Sequence, residues 1–521
     1  MSSDRPPPQD TVDPAAVREA AAAFELKLRR RLAADPGNAP ALEALGRLLI
    51  GENKYEQARE VFAELVARKP KLTLYKLLAE CQVVTGRTAD AIMSLDHILG
   101  LERTSENLLH CVKLKAEAGQ AAEVSRLLAL GRDWFPEDVN VLLRQAAGLR
   151  AGEDASAELA ALAAAAQTPA FMGNLRLLEA MTVTRAWQNR RRAGLDPGAA
   201  ASWQDLQTWS DPAGLAEYRA ALDRRLANGA TASPILARAW VGLVDQAWDE
   251  SERLIAMVRA AQSGGIADAV HFDSAFYRAL ARQQDSDILS AYAPLEELRG
   301  GPPGPTLFLA SDPVYFRKFT LPLLEQIPAR APRLRVHVHL LDGDPGEWRD
   351  CLQAAVARTA AVSLSAEASG AKNQPGTAAI YYHAVRFVRL HEFAVRNACP
   401  SLVIDVDTDL GGDPSDLIAQ FARRDLGLFA TPTAFQPWDK FGAGCVGVSP
   451  TGAGLAFTRL VAAYITHLHR TGVSHWGIDQ IALFGAYHHL AREGRLPDTH
   501  FFKSDARAIL RSVAGFKKFA K

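Results

Sequence analysis

Cysteine is scarce in this chain of 521 residues: Cys81, Cys111, Cys351, Cys399 and Cys445 are odd in number and never spaced as Cys-x-x-Cys. That argues against a disulfide framework and a zinc knuckle, and fits free thiols in a reducing cytoplasm. Long apolar runs are also missing. None approaches the roughly 18–20 residues needed to cross a bilayer, so no transmembrane segment is expected. Charge of one sign is not in excess, because Lys plus Arg and Asp plus Glu both number 59. No global field therefore draws the chain toward nucleic acid or anionic lipid. Met1–Asp13 is polar and proline-rich, lacks an apolar signal core, and reads as a disordered tail. The remainder, 48% apolar and 23% charged, has the composition of a soluble globular protein too long for one ordinary core.

The stretch from residue 14 to 166 carries an internal repeat. Gly46, Ala58, Phe62 and Pro70 stand where a tetratricopeptide unit places a small residue, Ala, an aromatic and a closing Pro. The pattern returns with Ala79, Ala91 and Leu95, and again with Val124, Leu128 and Pro136. Gly86, Gly119 and Gly152 step by 33 residues, each at the turn between paired helices. Small residues are needed where the two helices cross closely, and Pro stops the second. An all-α solenoid of tetratricopeptide-like repeats is therefore expected. From 167 to 300 the sequence stays helical without the period. It is crowded with Trp187, Trp203, Trp209, Trp240 and Trp248, which read as packing residues of a helical connecting domain. Arg299-Gly-Gly-Pro-Pro-Gly-Pro305 tolerates neither helix nor strand and reads as a domain boundary.

Beyond it, in residues 305–521, short apolar runs alternate with amphipathic stretches. Thr306–Ala310, Arg335–Leu341, Ser401–Ile404 and Cys445–Val448 read as strands, and Ala379–Arg396 and Pro414–Arg424 as helices. This is the texture of an α/β sheet covered by helices, with ligands at the carboxyl ends of the strands. Leu402-Val-Ile-Asp-Val-Asp-Thr-Asp409 is an apolar strand ending in carboxylates at alternate positions, which share one side if the strand continues. Two like charges about 4 Å apart cost roughly 4 kcal/mol at an effective dielectric near 20, a cost that a bound cation removes. An EF-hand reading of Asp405, Asp407, Asp409 and Asp416 fails. Leu410 stands where the loop needs Gly, Asp416 replaces the bidentate Glu, and a β run rather than a helix precedes it.

In company with other landmarks, the Asp-x-Asp motif of Asp405 and Asp407 resembles that of the A-type-fold nucleotide-diphospho-sugar transferases, in particular the glycogenin-like and lipopolysaccharide-galactosyltransferase-like group. Four landmarks carry the resemblance: Ala310-Ser311-Asp312-Pro-Val-Tyr315, Tyr381-Tyr382-His-Ala-Val-Arg386, Trp438-Asp-Lys-Phe-Gly442-Ala443-Gly444, and Trp476-Gly-Ile-Asp479-Gln480. The resemblance implies that Asp312 and Tyr315 hold a uracil and that Arg386 reaches the donor phosphate or sugar. It implies that Asp405 meets the ribose or a metal-bound water and Asp407 a divalent ion (Mn2+ or Mg2+), and that Asp479 and Gln480 stand at the reacting sugar. The family's C-terminal His-x-x-Gly-x-x-Lys appears here as Ser512-Val-Ala-Gly515-Phe-Lys-Lys518. Gly and Lys are kept, with Lys517 or Lys518 the expected phosphate cation, and His500 is the nearest substitute for the missing metal ligand.

The expected activity is a metal-dependent, retaining glycosyl transfer from a UDP-sugar to an acceptor presented by the repeats, a protein in preference to a glycan. An inverting enzyme with Asp479 as base is the fallback. A nucleotidylyltransferase would need a glycine-rich phosphate loop after the first strand, and Ser311–Tyr315 has none. The alternative from another class is a repeat-based adaptor whose transferase-like domain is inactive.

Overall fold

A computed structural model of the chain describes residues 14–51, 54–136, 138, 140–141, 144, 203, 212–227, 232–244, 247–261, 266–371, 378–431, 436, 438–502, 506 and 509–512. It divides into two compact units, residues 1–144 with 514–521, and residues 145–513.

In the first unit, helix Pro14–Ala34 precedes three helix pairs: Ala39–Gly51 with Tyr55–Arg68, Leu72–Val84 with Thr88–Leu101, and Ser105–Glu117 with Ala121–Trp134. One hydrogen bond recurs in each pair at the same register. The N–H of Lys54, Arg87 and Gln120 donates to the carbonyl of Leu49, Gln82 and Lys115 respectively. It closes the first helix over a turn in which Gly86 and Gly119 both adopt φ +73°, a conformation that glycine reaches without strain. The pairs cross tightly. A Cβ added at Gly46 would lie 2.6 Å from the Phe62 ring, and Phe62, Ala58, Ala79 and Ala91 are fully buried. Gly152, Trp187 and Trp209 lie outside the described residues.

The second unit is built on an eight-stranded sheet. Its strands are β1 (Glu296–Arg299), β2 (Thr306–Ser311), β3 (Arg335–Leu341), β4 (Val362–Glu367), β5 (Ser401–Ile404), β7 (Leu426–Ala430), β8 (Phe441–Val448) and β9 (Thr499–Phe502). They stand in the order β1-β4-β3-β2-β5-β8-β7-β9. The central β4, β3, β2 and β5 run parallel, β8 is reversed between β5 and β7, and β9 is parallel to β7. A small ribbon pairs β6 (Thr408–Leu410) with β10 (Leu510–Ser512).

Alternate residues of the parallel strands enter two separate cores. Phe308 and Val403 face helices Ala378–Asn397, Gly452–Arg470 and Ile478–Arg492, while Leu307, Leu309, Leu402 and Ile404 face the other layer, which includes Leu321–Arg330 and Pro345–Arg358. A sheet covered on both faces buries both sides of its strands; β2 and β5 do so with mostly apolar residues, whereas in β3 and β4 His337 and His339 are paired with Ser363 and Ser365 by hydrogen bonds.

The run Arg299–Pro305 is not where the units divide. It links β1 to β2 within one sheet, and β1 pairs antiparallel with β4. Pro302 and Pro303 have no N–H to extend a ladder, and their carbonyls accept from the Arg335 guanidinium. The preceding helical stretch is no separate domain either. Trp240, Leu254, Tyr277 and Ile288 belong to the same core as Phe308, Val385 and Tyr464. Trp240 meets Trp438 edge-on at 4.7 Å, Trp203 lies 5.0 Å from Tyr487, and Trp248 lies 4.3 Å from His488.

Two outcomes follow. Gly46→Val should destabilise the repeat unit by about 1–3 kcal/mol, because the buried Phe62 ring cannot yield. Gly100→Ala, which meets nothing within 4 Å, should leave stability equal or higher; denaturant titration of both variants checks this. Burial pushes the imidazoles of His271, His337 and His488 down to about 3 and that of His469 to about 4, from an ordinary 6.5. As the pH falls, the unfolded chain takes up these protons first. The contribution is complete above about pH 6.5 and is lost as the pH drops toward 3. Unfolding free energy that stays flat between these limits would contradict it.

Candidate active site

Strand β2 is followed by a crossover to β3 on one side, whereas β5 lies on its other side. The carboxyl ends of β2 and β5 thus flank the point at which the winding reverses, where an open α/β sheet leaves a crevice. The chain passes from β4 to β5 through helix Ala378–Asn397. One stripe of that helix, Tyr382, Arg386 and Arg389, meets an acid at or just beyond the end of each of three strands. The Tyr382 hydroxyl donates to Asp342 Oδ2 at 2.7 Å, after β3. Arg389 Nε donates to Glu367 at 2.7 Å, at the end of β4. Arg386 donates to Asp405, after β5. Steps of four and three residues return to one helical face, so a single helix serves all three.

Arg386 is the centre of the site. Its guanidinium is buried and contacts Asp405, Asp479 Oδ2 at 3.2 Å and the Ala443 carbonyl at 3.1 Å. Burial opposes its charge, but the two carboxylates outweigh that and hold its pKa above the ordinary value. Gly444 makes room for this arrangement, since a Cβ there would lie 2.5 Å from Asp405 Oδ2. Asp405 is further fixed by its N–H, which donates to the Gly444 carbonyl at 3.2 Å. Gly477, at φ +89°, turns the chain into helix Ile478–Arg492. In its first turn Asp479 Oδ1 accepts the Gln480 N–H at 2.8 Å, and Gln480 Nε2 donates to the Phe441 carbonyl at 3.0 Å. These groups enclose a cleft of about 230 Å³ lined also by Ile380, His383 and Trp476.

Asp312 and Tyr315 do not line this cleft. Asp312 caps the turn after β2, accepting the N–H groups of Val314 and Tyr315 at 2.7 and 2.8 Å. Burial, with a smaller push from Asp342, raises its pKa. Tyr315 is 40% exposed, its ring 5.1 Å from that of Phe319.

Two expectations are corrected by geometry. The carboxylates of 405–409 do not form one row, because β5 ends at Ile404, the chain bends, and Asp409 belongs to β6 opposite Arg511. His500 is not brought to this turn. It lies on β9 in register with Gly427, Gly447 and Leu402, three strand spacings or about 14 Å from β5. Its Nε2 meets Gln420 Oε1 at 2.9 Å. The Ser512 backbone, by contrast, pairs opposite Thr408, next to Asp407; Lys517 and Lys518 lie outside the described residues. Among the described residues no group of three or more His, Cys, Asp or Glu side chains is set to hold a metal ion.

His383 and Asp342 were missed in the sequence. Asp342, at φ +63°, accepts from Ser369 Oγ and Gly370 N as well as from Tyr382. Its signal was the same as that of Asp405, an acid directly after an apolar strand. His383 lay unremarked inside the Tyr/Arg motif. Arg386→Met should destabilise this unit by about 3–5 kcal/mol, by leaving Asp405 and Asp479 without their cation. Arg386→Lys should recover part of that loss; equal stability of all three proteins in denaturant would refute the burial argument.

The tetratricopeptide repeat family matches residues 17–81. No curated protein matches the chain. Among solved structures, a tetratricopeptide repeat protein from Parabacteroides merdae is 12% identical over 47% of this chain and 88% of its own, with a TM-score of 0.26. The Cut9–Hcn1 hetero-tetramer of the APC/C is 16% identical over 49% of this chain and 46% of the other, with a TM-score of 0.23. Naa15/Naa10 bound to HypK-THB is 11% identical over 73% and 49%, with a TM-score of 0.26. No helix among the described residues is long and apolar enough to cross a membrane. The N-terminal region of this chain is built of tetratricopeptide repeats, an architecture whose common use is to hold protein partners.

Proposed function

We propose that the sheet unit is a glycosyltransferase that takes its sugar from a nucleoside-diphosphate donor, UDP-linked by the resemblance of Asp312 and Tyr315. One observation carries the reading. Arg386, Asp405, Ala443 and Asp479, drawn from four separate motifs, meet in a cleft at the carboxyl ends of the strands. Four unrelated packing residues would have no cause to converge there.

Breaking the bond between an anomeric carbon and a diphosphate builds negative charge on the leaving group. Arg386 is a fixed cation beside that place, and Asp405 and Asp407 would hold a divalent ion (Mg2+ or Mn2+) together with the phosphate oxygens. When bound, such an ion supplies further charge neutralisation. Asp479 and Gln480 open a helix on the same cleft and would orient the donor sugar, with the anomeric configuration retained. The repeats would recognise the acceptor or a protein that carries it, since stacked helix pairs leave an extended concave face. An adaptor role with an inactive sheet unit is the second reading, favoured by the absence of a third protein ligand among the described residues.

Calorimetric titration of the full chain with UDP, with and without Mn2+ or Mg2+, and a hydrolysis screen of UDP-sugars separate the two. Asp407→Asn should abolish donor turnover while leaving the fold intact, because a half-exposed ligand contributes little to stability. Tyr315→Ala should weaken UDP by roughly tenfold or more, the order of losing one base-stacking ring at about 1–3 kcal/mol. Full turnover by Asp407→Asn would sink the site assignment, and no UDP binding at all would leave the adaptor reading.

A further inference from the structure

A second cavity, of about 460 Å³, lies at the other end of the sheet. Its lining includes Thr306, Arg335 and Val362, at the starts of β2, β3 and β4, whereas the candidate cleft sits at the carboxyl ends of the strands. Residues 299–303 of the glycine- and proline-rich link, which the cleft leaves unused, form one wall. Helix Ala378–Asn397 brings the end of its run, Phe393, Arg396 and Asn397, to another. Arg386 is almost three turns back along that helix, about 15 Å from Arg396. The two sites are separate.

Among the described residues the lining carries three guanidiniums, Arg299, Arg335 and Arg396, against one carboxylate, Glu297. Two of the three are positioned by neutral groups. Arg335 donates to the carbonyls of Pro302 and Pro303, and Arg299 Nη2 to that of Ala360 at 3.1 Å. Among the described residues neither is paired with a carboxylate, while Arg396 meets Glu297 at 3.3 Å. The carbonyls hold these side chains without cancelling their charge, and three cations less one anion leave two positive charges. The histidine of the lining adds none. Burial, and then the Arg396 charge, push His337 down to about 3, and its two ring nitrogens meet Ser363 and Ser365 at 2.9 Å. Like charges gathered in one cavity repel one another, a cost that a bound anion removes. The wall is also fixed in place. Asn397 Oδ1 accepts the Gly304 N–H at 3.2 Å and its Nδ2 donates to the Gly304 carbonyl at 3.0 Å, pinning the link to the helix end.

We propose that this cavity binds a small organic phosphate, one phosphate monoester on a compact body. At neutral pH a monoester concentrates close to two negative charges and three acceptor oxygens on a single group. It therefore matches the two uncompensated charges and can be shared by guanidinium forks from three separate elements. Pro302, Pro303, Val362 and Phe393 give the body an apolar surface. The volume falls within the roughly 300–1,000 Å³ of sites for small organic ligands, and a bare phosphate would leave most of it empty. A dicarboxylate would spread the same charge over two groups. None of these residues lines the cleft, so the assignment does not rest on the sugar-transfer reading.

Calorimetric titration of the full-length protein with phenyl phosphate, glycerol 3-phosphate and succinate tests this. At least one of the two phosphates should bind, more tightly than succinate, and its affinity should fall as NaCl is raised. Arg299→Gln and Arg396→Gln should each weaken it by about tenfold, the order of losing one charge-assisted hydrogen bond. Arg299→Lys should keep part of the affinity. Arg299 is half-buried and Arg396 exposed, so both Gln variants should retain the wild-type denaturation midpoint. Binding of neither phosphate overturns the proposal, and succinate binding as tightly as the phosphates overturns the ligand class. Undiminished phosphate binding by both Gln variants also overturns it, by placing the ligand outside this cavity.

Discussion

The rest of the second unit is organised around one buried cation. Arg386 is almost without solvent, and its charge persists there only because Asp405 and Asp479 come to it from a strand end and from a helix start. Such a buried triad adds little net stability, since desolvating the ions offsets most of the attraction between them. Its effect is geometric. It ties together the end of β5, the start of β8 and helix Ile478–Arg492.

Helix Ala378–Asn397 extends the same logic across the sheet. Through Tyr382, Arg386 and Arg389 it holds Asp342, Asp405 and Glu367, so the carboxyl ends of β3, β5 and β4 cannot move independently of it. Glu367 is fully buried; its pKa is raised by burial and lowered in opposition by Arg389. The opposite face of the helix is apolar, with Ala384 and Phe387 in the shared core. The crevice at the winding reversal is therefore walled by a helix that is pinned at three points. The connecting helices brace the layer behind it: Trp240 is buried against Trp438, and the half-buried Trp203 packs on Phe441 and Tyr487.

The repeats stand on a different physical basis. Their contacts are mainly local, since each helix pair is closed by the same backbone bond into the same turn, and each pair packs on the next. Such a unit repeats in sequence because it repeats in space, and it can be read residue by residue.

The sequence by itself determined what local chemistry controls. Glycine at a left-handed turn, alanine at a crossing and proline at a helix end mark the repeats. Short apolar runs mark β2, β3 and β5, and an amphipathic stripe marks helix Ala378–Asn397. The resemblance of their motifs also singled out Arg386, Asp405 and Asp479, which the fold brings together. It did not separate Gly300–Pro305 as a link inside a sheet from the same residues as a boundary, because proline and glycine stop a ladder in either case. Nor could period two reveal that the chain bends after Ile404 and sends Asp409 into another ribbon. Tertiary structure alone decided that β9 lies three strands from β5, which removes His500 from the acidic turn, and that β10 lies beside it. It also decided that His383 and Trp476 share a cleft with Arg386. Register and strand order are set by long-range packing over two cores, and that information is not carried by any one stretch of sequence.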